Sequence, residues 1–416
     1  MIKPELLMPA GNFQKMEYAF AHGADAVYLG VPVFSLRARE NDFDHDELAR
    51  GIQYAHKNSK KVYVTVNVFA RNSKVNRFEQ EVDRILSQKP DALIMSDPGL
   101  IDFVRNKYPE TEIHLSVQAN CMNWRSVQFW KNSLNIQRII LSRELAVDEI
   151  AEIKQRVPDI ELEAFVHGSI CIAYSGRCLL SSYMSYRDAN QGVCDNSCRE
   201  KFKVHSYVED PRSPQELYPI EEDEEGTYIM NAKDLCLIEH LDDLYKAGVC
   251  SFKVEGRTKS VNYVSLVARA YREAIDNLVD NKKYNPALYS ELQKTANRDF
   301  HKGFIRGNPG VSGQRYESAQ SQSAASVFVG LFANADIKDG MIPIDVRGTI
   351  HIGTSLEVLG PQMYSEQFVV KKMMNTKGEY VESAHSGSGV FWIEGPSKQI
   401  DHGIISHLKS TSVKDA

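Results

Sequence analysis

The first 256 residues repeat one pattern: a short apolar run, a polar residue at its end, then an amphipathic stretch. The apolar runs are Glu5–Met8, Ala26–Gly30, Val62–Asn67, Ala92–Met95, Glu112–Gln118, Arg138–Ser142, Leu162–His167 and Ser251–Glu255. Helical spacing falls between them, over Asn12–His22, His45–Lys57, Arg77–Leu86 and Val147–Arg156, and again over Val261–Val279. Strands alternating with helices predict a parallel sheet, and eight such units predict closure into a (β/α)8 TIM-type barrel of the α/β class. An open doubly wound sheet is the rival, but no glycine-rich dinucleotide turn follows the first strand.

The pattern breaks twice. Residues 168–230 interrupt it after the seventh strand and read as an insertion on the catalytic face. A polar stretch over 316–326 reads as a linker. Beyond it, short β-like runs separated by Gly, Asn and Asp turns predict a small all-β barrel over 327–416. Residues 1–315 are thus expected to form the catalytic barrel.

The net charge of −6 argues against strong non-specific attraction to nucleic acid. Much of it sits in one place. Glu209, Asp210, Glu216, Glu221, Glu222, Asp223, Glu224 and Glu225 face one basic residue, Arg212, between Tyr207 and Gly226. Outside that stretch the chain is close to neutral. No long apolar run suggests a membrane span, and the N-terminus does not read as a secretory signal, so a cytoplasmic protein is expected.

Seven cysteines are present, four of them spaced Cys171-x6-Cys178-x15-Cys194-x3-Cys198 in the insertion. Four thiolates on one polar loop repel each other unless a cation compensates them. The wide first pair suits a [4Fe–4S] cluster better than zinc, whose sites favour closer pairs. Four unrelated buried thiols are the bland alternative. Cys121 closes the loop after the fifth strand, while Cys236 and Cys250 lie in core-like contexts.

Active sites of such barrels form at the C-terminal strand ends. Those ends carry Asn67, Ser96-Asp97, Gln118, Asn120, Ser142-Arg143-Glu144, His167-Gly168 and Lys253-x-Glu255-x-Arg257. Any one of them could simply be a loop start meeting water; the set is harder to explain by packing.

The segment Glu163-Ala-Phe-Val-His167-Gly-Ser-Ile-Cys171-Ile-Ala-Tyr174-Ser-Gly-Arg177-Cys178-Leu-Leu-Ser181 resembles the signature of the collagenase-like peptidase family U-32. The likeness extends to Pro4–Gly11, Gly23–Tyr28, Ser96–Gly99, His114–Asn120, Ile140–Glu144, Asn190–Gly192, Asn231–Asp234 and Lys253–Arg257, most of the barrel. The resemblance implies more than the residues do. Its tRNA-directed members bind an iron–sulfur cluster and form 5-hydroxyuridine at the wobble position, with prephenate serving in place of O2. It implies tRNA and prephenate as partners and an electron donor that the sequence does not identify. It places the cluster on Cys171, Cys178, Cys194 and Cys198, with Cys236 a substitute where the fourth ligand lies elsewhere.

Prephenate carries two carboxylates, which guanidinium groups bind in forked pairs. Arg37, Arg39, Arg143, Arg177 and Arg257 are the candidates, with Lys253 beside them; each is otherwise a surface or packing cation. His167 and Tyr174 are candidates for proton transfer. Asn67, Gln118 and Asn120 suit a uracil edge or keto oxygen. Two rival functions remain at this point. A metallopeptidase lacks its H-E-x-x-H pair here, and a cysteine peptidase needs one activated thiol rather than four. A zinc-dependent RNA-binding protein would leave the polar strand ends unexplained.

Overall fold

A computed structural model of the chain describes residues 3–36, 43–170, 232–295, 298–307 and 326–408, with isolated positions between 171 and 231 and between 308 and 325. The chain forms two compact units. The first comprises Met1–Met16, Asp25–Lys259 and Arg298–Gln322; the second comprises Glu17–Ala24, Ser260–Asn297 and Ser323–Ala416.

The first unit holds a closed barrel of eight parallel strands. They are β1 (Glu5–Pro9), β2 (Ala26–Gly30), β3 (Lys61–Val66), β4 (Ala92–Met95), β5 (Ile113–Leu115), β6 (Arg138–Ile140), β7 (Glu161–Gly168) and, after the short β8 (Asp234–Cys236), β9 (Val249–Val254). Neighbours follow chain order, and β9 closes the ring by pairing with both β7 and β1. All eight strands predicted from the apolar runs are present. The fifth is shorter than expected: it ends at Leu115, and a 3-10 turn, Val117–Ala119, follows. The Ser116 side chain causes this by accepting from the Gln118 amide at 3.3 Å, a local bond that competes with the ladder.

Local chemistry sets the helices. The helix His45–Lys57 starts at Asp44, whose side chain accepts from the Glu47 amide, and acidic and basic residues fall at its first and last turns. Leu48, Gly51, Ile52 and Ala55 form its buried face. The helix Pro98–Lys107 is capped by Asp97, which accepts from the Gly99 and Leu100 amides, with proline in the first turn.

The barrel interior is not uniformly apolar. Period-two alternation turns Glu163 inward on β7, where it meets charges from other strands. Lys253 donates to Glu163 Oε1 at 2.8 Å, and Arg138 and Ser251 donate to Oε2 at 3.3 and 3.2 Å. Arg138 and Ser251 also reach Glu5 Oε1, at 2.6 and 2.9 Å, while the Tyr63 hydroxyl donates to Glu5 Oε2 at 2.6 Å. Glu163 is fully buried. Burial pushes its carboxyl upward, but Lys253 and Arg138 outweigh this and hold it below the ordinary glutamate range.

The second unit contains the helix Val261–Val279 and an antiparallel sheet of seven strands. Their order is Ser365–Val369, Ser355–Leu359, Ile404–Leu408, Ser326–Phe332, Ile342–Val346, Val390–Glu394, Lys372–Met374. Ile344, Val358, Ile393 and Ile405 form its core. Leu266 and Val261 of the helix pack with Leu331, Leu359 and Ile404 of the sheet.

No helix among the described residues is long and apolar enough to cross a membrane.

Candidate active site at the C-terminal end of the barrel

The C-terminal strand ends gather a connected set of polar groups. Asn67 follows β3 and is 9% exposed. Its Oδ1 accepts from the Leu36 amide at 3.2 Å, and its Nδ2 donates to Ser116 Oγ at 3.1 Å. Its carbonyl accepts from Ser96 Oγ at 3.0 Å. Asn67 therefore ties the ends of β3, β4 and β5 to the loop after β2. Asn120 lies in the left-handed region, at φ 52°, which asparagine tolerates, and its Oδ1 accepts from Ser142 Oγ at 3.1 Å. Gln118 sits half-buried on the 3-10 turn between them. Asp97 serves as a helix cap and also accepts from the Ala70 amide at 3.1 Å.

Arg257 is buried, 4% exposed. Its NH1 donates to Ser35 Oγ at 2.6 Å and Thr65 Oγ1 at 3.1 Å, and its NH2 donates to the Leu36 carbonyl. Ser35 and Thr65 carry no conspicuous signal in the sequence, and only the fold makes them partners of this guanidinium. The Arg257 backbone is held as closely as its side chain. A Cβ on Gly11 would fall inside contact distance of the Arg257 carbonyl oxygen, which already accepts from Lys15 Nζ at 3.2 Å. Gly11→Ala is expected to cost about 1–3 kcal/mol by overpacking, read as a lower urea midpoint; an unchanged midpoint would show that the loop yields freely.

Lys253 lies deeper, paired with Glu163, with its ammonium 4.3 Å from the centre of the Tyr28 ring. The Tyr28 hydroxyl has two acceptors in reach of its one proton, the Val254 carbonyl at 2.9 Å and Glu255 Oε2 at 3.1 Å.

His167 lies near the end of β7, 1% exposed, opposite Cys236 of β8 and Val254 of β9. Its ring stacks obliquely 5.2 Å from Phe300. Burial lowers it to about 3, so the imidazole is neutral at physiological pH. The chain then turns at Gly168, whose φ of 107° a side chain rarely adopts. Residues 169–233 lie in sequence between β7 and β8.

That segment carries the four clustered cysteines. Cys178 is half-buried and Cys194 exposed, and Tyr174 is 57% exposed. Cys171, Cys198 and Arg177 lie outside the described residues, as do Arg37 and Arg39. Among the described residues no three His, Cys, Asp or Glu side chains gather in a metal-holding group. Cys236 and Cys121 are buried, and burial pushes the Cys121 thiol up to about 12. Cys250 is half-buried.

Two further groups stand at the exit of β7. Arg143 donates from NH1 to the Ser169 carbonyl at 2.7 Å and lies 4.0 Å over the Phe165 ring. Arg298 pairs with Asp234 and donates to Ser169 Oγ at 3.2 Å. Arg298 has no periodic or compositional signal in the sequence.

The family model of peptidase family U32 matches residues 11–315, and that of the peptidase family U32 C-terminal domain matches 325–406. Similar curated proteins include tRNA hydroxylation protein P of Haemophilus influenzae, 44% identical over 94% of this chain and 92% of that protein. The protein of the same name from Escherichia coli is 43% identical over 95% and 94% of the two chains. tRNA hydroxylation protein P1 of Bacillus subtilis is 37% identical over 92% and 89%. With both domain models matched and relatives aligned over nearly its whole length, the chain belongs to peptidase family U32.

Proposed function

We propose that this chain is a tRNA uridine hydroxylase that forms 5-hydroxyuridine at the wobble position, with prephenate as oxygen donor in place of O2. The observation that carries the reading is the match to proteins named for tRNA hydroxylation across both domains. The polar mouth of the barrel supports it. Hydroxylation replaces the C5 hydrogen of uracil by a hydroxyl, so the base must leave its stack and enter a pocket. Asn67, Gln118 and Asn120 stand at adjacent strand ends with amide groups suited to a uracil edge. The Asn67 side-chain amide is held by Leu36 and Ser116, which orients it before substrate arrives. His167, held neutral by burial, is suited to hydrogen-bond a bound group rather than to take up its proton, and exposed Tyr174 is open to a macromolecular substrate. Arg257 and Arg143 supply positive charge for the carboxylates of prephenate.

The donor set fits an iron–sulfur cluster. Cys178, half-buried, and Cys194, exposed, lie in the sequence between β7 and β8, next to the C-terminal end of the barrel. With Cys171 and Cys198 they make four thiolate ligands, the usual complement of a [4Fe–4S] cluster. When bound, such a cluster supplies electron transfer or Lewis-acid chemistry.

Nucleoside mass spectrometry of tRNA from cells with and without the gene tests the reaction. Loss of 5-hydroxyuridine in the deletion is expected, and an unchanged nucleoside profile would end the reading. Cells unable to make prephenate are expected to lose the same nucleoside. Anaerobic purification should give a brown protein with about four iron and four sulfide per chain. A colourless, zinc-loaded protein would remove the cluster.

A further inference from the structure

Two guanidinium groups meet on one residue where β7 ends. Arg143 and Arg298 come from segments far apart in sequence, yet both donate to Ser169, one to its carbonyl and one to its hydroxyl. One carboxylate answers the two cations. Asp234, 4% exposed, is engaged by the Arg298 side chain, and among the described residues no carboxylate pairs with Arg143.

The donors are incompletely used. Arg298 is 8% exposed, and its buried Nε–H makes no hydrogen bond. The buried Nε–H of half-buried Arg143 makes none either. A buried charged donor left unpaired is costly, and two like charges at one residue repel. An anion bound between them relieves both penalties. A carboxylate fits better than an RNA phosphate, because the Arg298 donor is too deeply buried for the backbone of a folded polynucleotide. Planar guanidinium forks also match carboxylates in two-point contact.

We propose that Arg143 and Arg298, joined by Ser169, form a carboxylate-binding subsite for the small anionic co-substrate. Its location follows from the arginines; the identity of its ligand rests on the prephenate reading above. The subsite places that ligand where the cysteine-bearing segment leaves the barrel, beside His167.

The test uses the full-length protein purified anaerobically and isothermal titration with prephenate. Arg143→Lys and Arg298→Lys keep the charge but lose the fork, and each is expected to weaken binding about 10-fold or more. Affinity for tRNA and iron content should stay at the wild-type level. Arg156→Gln, an exposed arginine on the helix Val147–Arg156, should leave prephenate binding unchanged. If the shorter ammonium of Arg298→Lys does not reach Asp234 and that variant fails to fold, Arg143→Lys, which gives up a single hydrogen bond, decides alone. Wild-type protein that binds prephenate together with an Arg143→Lys variant that binds it equally well overturns the subsite and leaves the hydroxylase standing. Weakened tRNA affinity with unchanged prephenate binding also overturns it, in favour of a phosphate contact. Wild-type protein that makes 5-hydroxyuridine but never binds prephenate removes the prephenate reading and this subsite's ligand with it.

Discussion

Replacing Glu163 by glutamine is expected to lower the unfolding free energy by about 3–5 kcal/mol, the usual cost of removing one partner from a buried ion pair. The size follows from what is left behind. Lys253, 3% exposed, loses its only carboxylate partner among the described residues. Arg138 loses one of three, keeping Glu5 at 2.6 Å and Glu161 at 2.7 Å. The stranded lysine therefore accounts for most of the loss. Lys253→Met in the same chain should recover part of it, because methionine beside a neutral glutamine tolerates burial better than a lone ammonium. The pH dependence has a definite sign. The folded carboxyl of Glu163 lies below its unfolded value, so its contribution is fully present above the ordinary range, ~4.3. It drains away as pH falls through the folded value. Urea titrations at neutral pH and near pH 4 should show a gap between wild type and Glu163→Gln that narrows in acid. A constant gap would mean that the loss does not depend on the Glu163 charge, and no gap at pH 7 would mean that the network contributes nothing net.

Cys178→Ser is expected to abolish iron retention and reduce 5-hydroxyuridine in tRNA by more than ~100-fold, since even outer-shell changes at metal sites cost 10–100-fold. A serine hydroxyl is a poor substitute for a thiolate on iron. Cys194→Ser should behave alike. Cys121→Ser is the informative contrast. That thiol is 1% exposed and protonated at any physiological pH, so it has no thiolate to offer. Its replacement should leave iron and sulfide counts unchanged. Loss of iron from Cys121→Ser, or full iron in Cys178→Ser, would contradict the ligand set. The reaction and the cofactor are separable in this experiment, because metal content is read independently of turnover.

The barrel itself was legible in the apolar runs. Eight runs with helical spacing between them admit few arrangements once parallel pairing and right-handed crossovers are required. The helices His45–Lys57 and Val147–Arg156 fall where the periodicity places them, because an amphipathic face and charged first turns act locally. Polar strand ends also announced the side of the barrel on which to look. Asn67, Asn120 and Arg257 stand there because strand polarity alone dictates which end of each strand they occupy.

What the chain could not announce were the partners across the barrel. Glu163 is a charge in the middle of an apolar strand, a signal in plain view, but its burden is set by Lys253 and Arg138 on other strands. Arg298 was invisible, since nothing near it in sequence repeats or clusters, and it acquires meaning only when β8 brings Asp234 beside Ser169. The sequence by itself determined the repeating units and their direction, which depend on neighbours a few residues apart. The tertiary structure alone decided which charges neutralise which, because Coulomb and hydrogen-bond energies act across the ring of strands and carry no trace along the chain.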